Sequence, residues 1–281
     1  MSRPDPARSS APLAFIGGGN MARSLVGGLV RAGEAAARIT VAEPHAPLRE
    51  ALARDFGVAT GTDNAAAADG AAAIVLAVKP QVMRPVCEEL ASAVQRDRPL
   101  IVSIAAGIRV EQLQHWLGGG VAVVRSMPNT PALIGAGAAG LYADPHCSAA
   151  QRALAERILG AAGLCVWIER EDLMDAVTAL SGSGPAYFFL LVEALEDAAV
   201  EQGLPRETAR LLATQTAFGA GRMLREDGAA PATLRERVTS PKGTTQAALD
   251  SFAGDGFRAI VARAVAAAVQ RGRELSAASG A

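Results

Sequence analysis

The sequence contains few aromatic residues and almost no net charge. Aromatic residues make up 4% of its 281 residues, so the core must be built from Ala, Val, Leu and Ile. The 27 basic and 28 acidic residues leave a net charge of -1. This balance argues against a protein that coats nucleic acid or anionic lipid, because both need a cationic face. With 50% hydrophobic and 20% charged residues, disordered and fibrous classes are excluded, and the length predicts about two domains.

Cysteine and histidine are also scarce. Cys87, Cys147 and Cys165 cannot form an even set of disulfides and include no CxxC pair, which favours structural thiols in a reducing compartment. The three histidines lie far apart without zinc spacing, so we expect no metal site.

Long apolar runs are missing as well. Residues 1–12 are polar and Pro-rich, and we expect them to form a flexible leader and no signal peptide. No window reaches the roughly 20 apolar residues of a membrane span. The expected location is therefore the cytoplasm.

In the first half of the chain, short apolar runs alternate with helix-length segments. The runs are apolar on both faces, as buried parallel strands require: residues 13–16, 39–42, 73–78, 100–103 and 121–124. Helices are predicted between them, for instance over 21–31 and 48–56, and residues 135–142 and 165–168 are expected to extend the sheet. This strand–helix–strand order predicts an α/β Rossmann domain over residues 13–168.

After residue 168 the pattern becomes helical. Gly184 and Pro185 begin a long helix, and Gly203 and Pro205 end it. Further helices are predicted over residues 211–224, 232–238, 245–252 and 256–274. They are rich in Ala and Gly, which permits close packing between subunits. We therefore expect an all-α domain over residues 169–281.

A glycine-rich turn joins the first predicted strand to the first predicted helix. Residues 16–22, Ile-Gly-Gly-Gly-Asn-Met-Ala, fit the pattern G-x-G-x-x-A in this context. Gly17 permits a tight turn, Gly19 lets a pyrophosphate approach the backbone, and Ala22 lets helix and strand pack closely. The pattern predicts a dinucleotide site, although glycine-rich turns also occur without one.

Glu43 follows the second predicted strand, 24 residues after Gly19. A carboxylate there would hydrogen-bond a ribose 2′-OH and repel a 2′-phosphate, which favours NADH. The alternative interpretation is a solvated loop glutamate, with Arg49 close enough to receive a phosphate.

Two more loops follow strands at the edge where doubly wound sheets bind ligands. Residues 77–80 contain Lys79, one of only two lysines in the chain, which alternatively is a solvated cation. Residues 103–107 offer small side chains against which a nicotinamide ring could lie flat. Residues 125–131, Arg-Ser-Met-Pro-Asn-Thr-Pro, predict a rigid polar turn, and residues 179–187 predict a tight, flexible turn into the long helix.

The second lysine lies in residues 240–245, Ser-Pro-Lys-Gly-Thr-Thr, just before a predicted helix. Hydroxyls, a glycine and free backbone N–H groups at a helix start form an anion nest that would suit a substrate carboxylate. The alternative interpretation is a Ser/Thr helix cap, which is compatible with ligand binding.

Together these segments resemble pyrroline-5-carboxylate reductases, which catalyse the last step of proline synthesis. The resemblance runs from about residue 15 to residue 268 and rests on FIGGGNMA, AVKPQ, RSMPNTPA, DAVTALSGSGPAYFF and VTSPKGTTQAAL. It implies a Rossmann domain, an intertwined helical dimer that often assembles into decamers, and NADPH or NADH as the cofactor. The helical half of one subunit would complete the site of its partner.

The resemblance also implies roles for individual residues. The cofactor contacts would be Ile16, Gly17, Gly18, Gly19, Asn20, Met21, Asn64, Ala77, Val78, Lys79, Pro80, Ala105, Ala106 and Gly107, beside the Glu43 inferred above. The substrate contacts would be Ser240, Gly243, Thr244 and Thr245. The sequence departs from the family at Lys242, where a second Gly is common, and at Arg237, where some members have Asn. These cations should attract anions to the loop.

The expected reaction transfers a hydride to the imine carbon of 1-pyrroline-5-carboxylate, which becomes C5 of proline, and a proton to the ring nitrogen, giving L-proline. No His, Cys or acid lies in the substrate loop, so the Thr245 hydroxyl is the best candidate to hydrogen-bond the ring nitrogen. One alternative is a β-hydroxyacid dehydrogenase, a family that relies on a lysine on its long interdomain helix. The corresponding segment here, residues 184–202, contains no lysine. The other is a non-catalytic nucleotide sensor, which leaves residues 240–245 unexplained.

Overall fold

The structure, a computed structural model, describes residues 12–278. The expected leader therefore lies outside the described residues except for Pro12, whose carbonyl accepts from Ala72 N at 2.8 Å. The chain forms two compact units, Met1–Gly182 with Val269–Ala281, and Ser183–Ala268. These ranges differ from the predicted domains, 13–168 and 169–281, which stay a prediction.

The first unit contains an eight-stranded sheet, whose strands are β1 (Leu13–Ile16), β2 (Ile39–Ala42), β3 (Ala59–Gly61), β4 (Ala73–Leu76), β5 (Leu100–Ser103), β6 (Val123–Met127), β7 (Gly137–Ala143) and β8 (Gly163–Trp167). Their order in the sheet is β3-β2-β1-β4-β5-β6-β7-β8. All neighbours pair in parallel except β6 and β7, which are antiparallel. The chain leaves β1 toward β2 on one side and returns to β4 on the other, so a ligand crevice is expected at their carboxyl ends.

The α/β fold predicted for this half is confirmed. Of the predicted strands, 121–124 shifts to β6 because the polar residues Arg125 and Ser126 are buried inside the strand. The segments expected to extend the sheet form β7 and β8. The apolar runs do not predict β3, because its three residues, Ala-Thr-Gly, are not fully buried and carry little hydrophobic signal.

The core lies on both faces of the sheet. Leu13 and Phe15 belong to one buried cluster, whereas Ala14 and Ile16 belong to the other, as the period of two along a strand requires. Among the described residues, Phe15 is the one aromatic member of the fully buried hydrophobic core. The expected aliphatic core is therefore present in this unit.

Helices cover the sheet and form the second unit. The first unit has α1 (Asn20–Arg31), α2 (Ala46–Phe56), α3 (Asn64–Ala68), α4 (Met83–Asp97), α5 (Val110–Trp116), α6 (Ala149–Gly160) and α7 (Met174–Val177). The remaining helices are α8 (Gly184–Glu201), α9 (Arg206–Glu226), α10 (Pro231–Arg237), α11 (Thr244–Gly254) and α12 (Phe257–Ala278). The all-helical pattern predicted for the second half is confirmed, and each predicted helix there overlaps an observed one.

One turn differs from its expected form. After α7 the chain forms a π-helical turn, Thr178–Gly182, at the start of the segment 179–187 that is predicted to be a tight turn. A Cβ on Gly182 would lie 2.6 Å from Met127 Cε, so glycine lets this turn pack on β6. Single π turns are rare and often occur at functional sites.

Within residues 12–278, no helix combines the length and apolar composition needed to cross a membrane. Cys87, Cys147 and Cys165 are free thiols. Burial raises the pKa of Cys87 to about 12 and that of Cys147 to about 11. These thiols are therefore protonated at neutral pH, as expected for structural cysteines.

Candidate active site

The glycine turn after β1 meets the end of β4. Ala77 N donates to Ile16 O at 2.8 Å, and Gly17 adopts φ +99°. A Cβ on Gly17 would lie 2.7 Å from Ala77 O and 3.2 Å from Val78 Cγ1. Only glycine fits this position, because a side chain would meet the neighbouring backbone and require a strained φ. The contact joins two of the predicted cofactor loops.

The other residues of the turn prepare the start of α1. Gly19 is the N-cap residue, no side chain caps the helix, and a Cβ on Gly19 would meet nothing within 4 Å. Asn20 is exposed, Met21 is half-buried, and Ala22 is buried in the core. The space beside Gly19 is therefore open and no side chain caps the start of α1, which fits a pyrophosphate.

Glu43 braces the same turn. One carboxylate oxygen accepts from Gly18 N at 2.7 Å, and the other accepts from His45 N at 2.8 Å. The residue is 8% exposed, so it is not a solvated loop glutamate. Arg49 donates to Glu43 O at 2.8 Å, which holds its guanidinium at the end of β2. Selection of NADH by Glu43 stays a prediction, since both carboxylate oxygens already accept hydrogen bonds from the backbone.

The segments after β3 and β4 hold the next predicted residues. Pro80 begins a 3-10 turn with exposed Lys79 at its N-cap, and Lys79 makes no salt bridge to any residue within 12–278. Asn64 begins α3, and its amide donates to Glu89 at 2.9 Å. The Asn64 amide is therefore directed toward Glu89 on α4.

The loop after β5 carries Ala105, Ala106 and Gly107. Ala105 is buried, Ala106 is exposed, and Gly107 adopts φ +77°. A Cβ on Gly107 would lie 3.6 Å from Ser276 N on α12. The loop thus presents a small exposed side chain on a supported backbone, as a flat ring requires.

Asn129, in the predicted rigid turn, ties that turn to the π-helical turn. Its side-chain NH2 donates to Ser181 O at 3.0 Å, and its side-chain oxygen accepts from Ala138 N at 2.8 Å. The residue is 9% exposed. The two prolines that flank it in the sequence indicated a rigid turn, but the distant partner of its amide carried no sequence signal.

In the second unit, the segment 240–245 forms a turn that leads into α11. Gly243 N donates to Ser240 O at 3.0 Å, and no side chain caps α11. The cap interpretation of its Ser and Thr residues is therefore wrong for this structure. Thr244 is exposed and Thr245 is half-buried, and the Thr245 hydroxyl has no hydrogen-bond partner in the described part of the chain.

The two cations of this segment differ. Arg237 donates to both carboxylate oxygens of Asp227, at 3.0 and 2.9 Å, so its charge is compensated. Lys242 is exposed, adopts φ +59°, and has no ion-pair partner among residues 12–278. Of the two added cations, Lys242 alone is left to attract an anion.

Comparison with known families gives two matches along the chain. Residues 171–275 match the family described as "Pyrroline-5-carboxylate reductase dimerisation". Residues 12–107 match "NADP oxidoreductase coenzyme F420-dependent". The sheet unit is therefore similar to NAD(P)-binding domains, and most of the helical part is similar to a dimerisation domain.

Individual relatives cover almost the whole chain. The pyrroline-5-carboxylate reductase of Pseudomonas aeruginosa is 51% identical over 95% of this chain and 98% of its own length. The solved structure of a pyrroline-5-carboxylate reductase from Coxiella burnetii superposes with a TM-score of 0.93 at 42% identity, covering 95% of this chain and 99% of that one. The Plasmodium falciparum enzyme, solved with NADP bound, gives a TM-score of 0.82 at 28% identity, covering 95% and 98%.

Proposed function

The chain belongs to the pyrroline-5-carboxylate reductase family, and we propose that the residues described above carry out the reaction of that family. The protein is an NAD(P)-dependent oxidoreductase of proline biosynthesis that reduces 1-pyrroline-5-carboxylate to L-proline. The assignment rests on 51% identity to one such enzyme over 95% of the chain. The proposal concerns which residues bind, orient and protonate.

The glycine turn would hold the cofactor. A Cβ on Gly17 would strike Ala77 O, whereas the space beside Gly19 at the start of α1 is open. This arrangement fits a dinucleotide pyrophosphate, which accepts from backbone N–H groups at a helix start. Ala105, Ala106 and Gly107 would support the nicotinamide ring, and Lys79 would face a phosphate or ribose oxygen.

The turn at residues 240–245 would bind the carboxylate of the imine. Its support comes from the uncapped start of α11 and from Lys242, whose charge has no ion-pair partner in the described residues. Ser240, Gly243 and Thr244 would supply hydroxyl and backbone N–H donors. A carboxylate fixed here would orient the ring before reaction.

Thr245 would act on the ring nitrogen. A cofactor held by the glycine turn would supply a hydride for the imine carbon that becomes C5 of proline. The C=N π electrons would pass to the ring nitrogen, which would take a proton from water. The Thr245 hydroxyl would donate a hydrogen bond to this nitrogen and hold it where the proton arrives. Since the segment offers no His, Cys or acid, catalysis would depend mainly on positioning.

The second unit is a dimerisation domain, which implies a homodimer. Assembly of such dimers into a decamer, and the cytoplasmic location, are proposals that rest on the family resemblance. A shared site, in which one subunit supplies the cofactor residues and its partner supplies residues 240–245, is a proposal of the same kind.

Two assays test the proposed function. NAD(P)H oxidation should occur with pyrroline-5-carboxylate, whereas 3-hydroxy acids with NAD(P)+ should give no turnover. The second assay mixes two variants whose bulky substitutions should each abolish activity, Gly19→Trp and Thr245→Trp, by unfolding and refolding them together. If the site is shared, some mixed dimers hold one wild-type site and activity partly returns. If the activity of the mixture does not exceed the residual activities of the two variants, the shared-site proposal is wrong, but the proposed reaction is not affected.

A further inference from the structure

The loop between β5 and α5, residues 104–109, is fixed at its first end by buried hydroxyl groups. Ser126 Oγ on β6 donates to Ser103 O at 3.1 Å, and Ser103 Oγ accepts from Ala105 N at 3.4 Å. Ser103 and Ser126 are 0% and 1% exposed. The entry of the loop therefore follows the position of β6.

The second end of the loop is held by a carboxylate that is distant in the sequence. Val110 N, the first N–H of α5, donates to Glu171 Oε1 at 2.8 Å. Helix starts are usually capped by a short polar residue that directly precedes them, but Arg109 occupies that position here. Gln112 on α5 accepts from Arg109 N at 2.7 Å, and Glu171, from a 3-10 turn, Glu171–Leu173, that follows β8, accepts from the next N–H, that of Val110.

A buried cation holds the Glu171 carboxylate in place. Arg125 Nη1 donates to the same oxygen, Oε1, at 3.0 Å. The Arg125 side chain is 5% exposed, and Glu171 is its one ion-pair partner within residues 12–278. A buried guanidinium needs a fixed counter-charge, so Arg125 restricts where the carboxylate can lie. The loop is thus held at both ends by consecutive residues of β6, directly by Ser126 and through Glu171 by Arg125.

We propose that Glu171 is a positioning residue for hydride transfer, acting through Val110 N on the cofactor loop that contains Ala106. This inference rests on the proposed function, in which residues 105–107 support the nicotinamide ring. Without the carboxylate, Val110 N loses its acceptor and Arg125 loses its counter-charge, so the loop end can shift. A displacement of about 1 Å is enough to cost roughly 100-fold in rate.

The test uses purified full-length protein with Glu171→Ala, Glu171→Gln and the matched control Asp172→Ala. Asp172 lies in the same 3-10 turn but pairs with Arg170 at the surface. We expect Glu171→Ala to raise the Kd of NADPH or NADH about tenfold and to lower kcat roughly 10- to 100-fold. Glu171→Gln keeps an oxygen acceptor for Val110 N and should recover about half of each effect on a logarithmic scale. Asp172→Ala should match the wild type within about twofold.

Each assay is run well below the unfolding transition of the variant, with the folded fraction measured. If Glu171→Ala lowers Tm but leaves the cofactor Kd and kcat per folded site unchanged, the role is structural and the inference is wrong. Ala106→Phe, at an exposed position of the loop, tests the underlying assumption. If Ala106→Phe blocks cofactor binding while Glu171→Ala does not, only the positioning role fails. If Ala106→Phe has no effect, the loop is not a cofactor contact and both proposals fail.

Discussion

The two compact units of the chain differ in how much of their apolar surface they bury. In the first unit, both faces of the sheet carry fully buried side chains, and β1, β4 and β5 are buried at every position. Within residues 183–268, which are all described, only Gly184, Ala209 and Leu234 are buried.

The helical unit also exposes large apolar side chains. Phe188 and Phe189 are each 67% exposed, Leu190 and Leu211 are each 65% exposed, and Phe218 is 59% exposed. A stable monomer rarely leaves so many large apolar groups in water. The sheet unit has a complete core of its own, whereas the helical unit, which matches a dimerisation family, leaves this apolar surface uncovered within one chain. We therefore expect dimer contacts to control the stability of the helical unit and local backbone geometry to control the sheet unit.

The largest expected effect comes from a charge on the exposed face of α8. Phe189→Glu would bury a carboxylate in each half of the dimer interface, at a cost of about 3 kcal/mol or more per copy. We expect a monomer by light scattering and a loss of kcat/KM of at least about 100-fold. The control Leu48→Glu changes a 39% exposed leucine on α2 of the sheet unit and should leave the assembly and activity intact. A dimeric, active Phe189→Glu protein would contradict the expectation that dimer contacts control the stability of the helical unit.

Within the sheet unit, two glycines of one turn should respond differently. Gly17→Ala forces a strained φ and a contact 2.7 Å from Ala77 O, so both Tm and cofactor affinity should fall, the affinity by roughly 100-fold. Gly19→Ala meets no atom and keeps an ordinary φ of -67°, so the Tm of the protein without cofactor should stay the same. Its added methyl group would occupy the pyrophosphate position and weaken binding about tenfold. Calorimetry measures Tm and cofactor titration measures affinity for each variant. If Gly17→Ala and Gly19→Ala lower Tm equally, the predicted difference between the two glycines is wrong.

Sequence patterns predicted what local chemistry determines. Local sequence predicts the strands β1, β4 and β5 and the turn at Gly17 and Gly19. Strands buried on both faces and tight turns restrict the residue types allowed, so their sequences are recognisable. The position of Glu43 after β2 predicts a contact with a ribose, but its hydrogen bond from Gly18 N depends on the pairing of β1 with β2.

Long-range partners carried no such signal. The link from Arg125 through Glu171 to Val110 joins residues 46 and 61 positions apart. It depends on where the 3-10 turn after β8 returns to the sheet, which no local pattern encodes. The π-helical turn Thr178–Gly182 likewise depends on its packing against β6.

The helical unit offers a finer test at Thr245. Thr245→Val keeps the shape of the side chain and removes the hydroxyl proposed to bond the ring nitrogen. A hydrogen bond that strengthens in the transition state is worth about 1 kcal/mol, so kcat/KM should fall roughly 5- to 10-fold. The dimer and its Tm should not change, because this hydroxyl has no partner in the described part of the chain. An unchanged kcat/KM would remove Thr245 from the mechanism.

In the sheet unit, Glu43 tests cofactor choice. Glu43→Ser removes a charge that would oppose a 2′-phosphate, so kcat/KM for NADPH relative to NADH should rise about fivefold. The variant also loses the bond to Gly18 N, so both cofactors should bind more weakly. Glu43→Gln removes the charge but keeps one oxygen acceptor, and should give the same change in preference with a smaller loss of affinity. A wild-type enzyme that strongly prefers NADPH would show that Arg49 or a neighbour receives the phosphate.

The smallest expected effects come from substitutions of Lys242 in the helical unit, which should improve stability and weaken substrate binding. Lys242 adopts φ +59°, which costs a side chain about 1 kcal/mol relative to glycine. Lys242→Gly should therefore raise the free energy of unfolding by about that amount, measured by denaturant titration. The same change removes the cation proposed to attract the substrate carboxylate, so KM for pyrroline-5-carboxylate should rise about two- to threefold at low salt. Lys242→Asn separates the two effects, because asparagine tolerates this backbone conformation without a charge. It should raise KM as glycine does and raise stability less. If KM stays at the wild-type value in both variants, Lys242 does not attract the carboxylate, and its strained backbone has no explanation in binding.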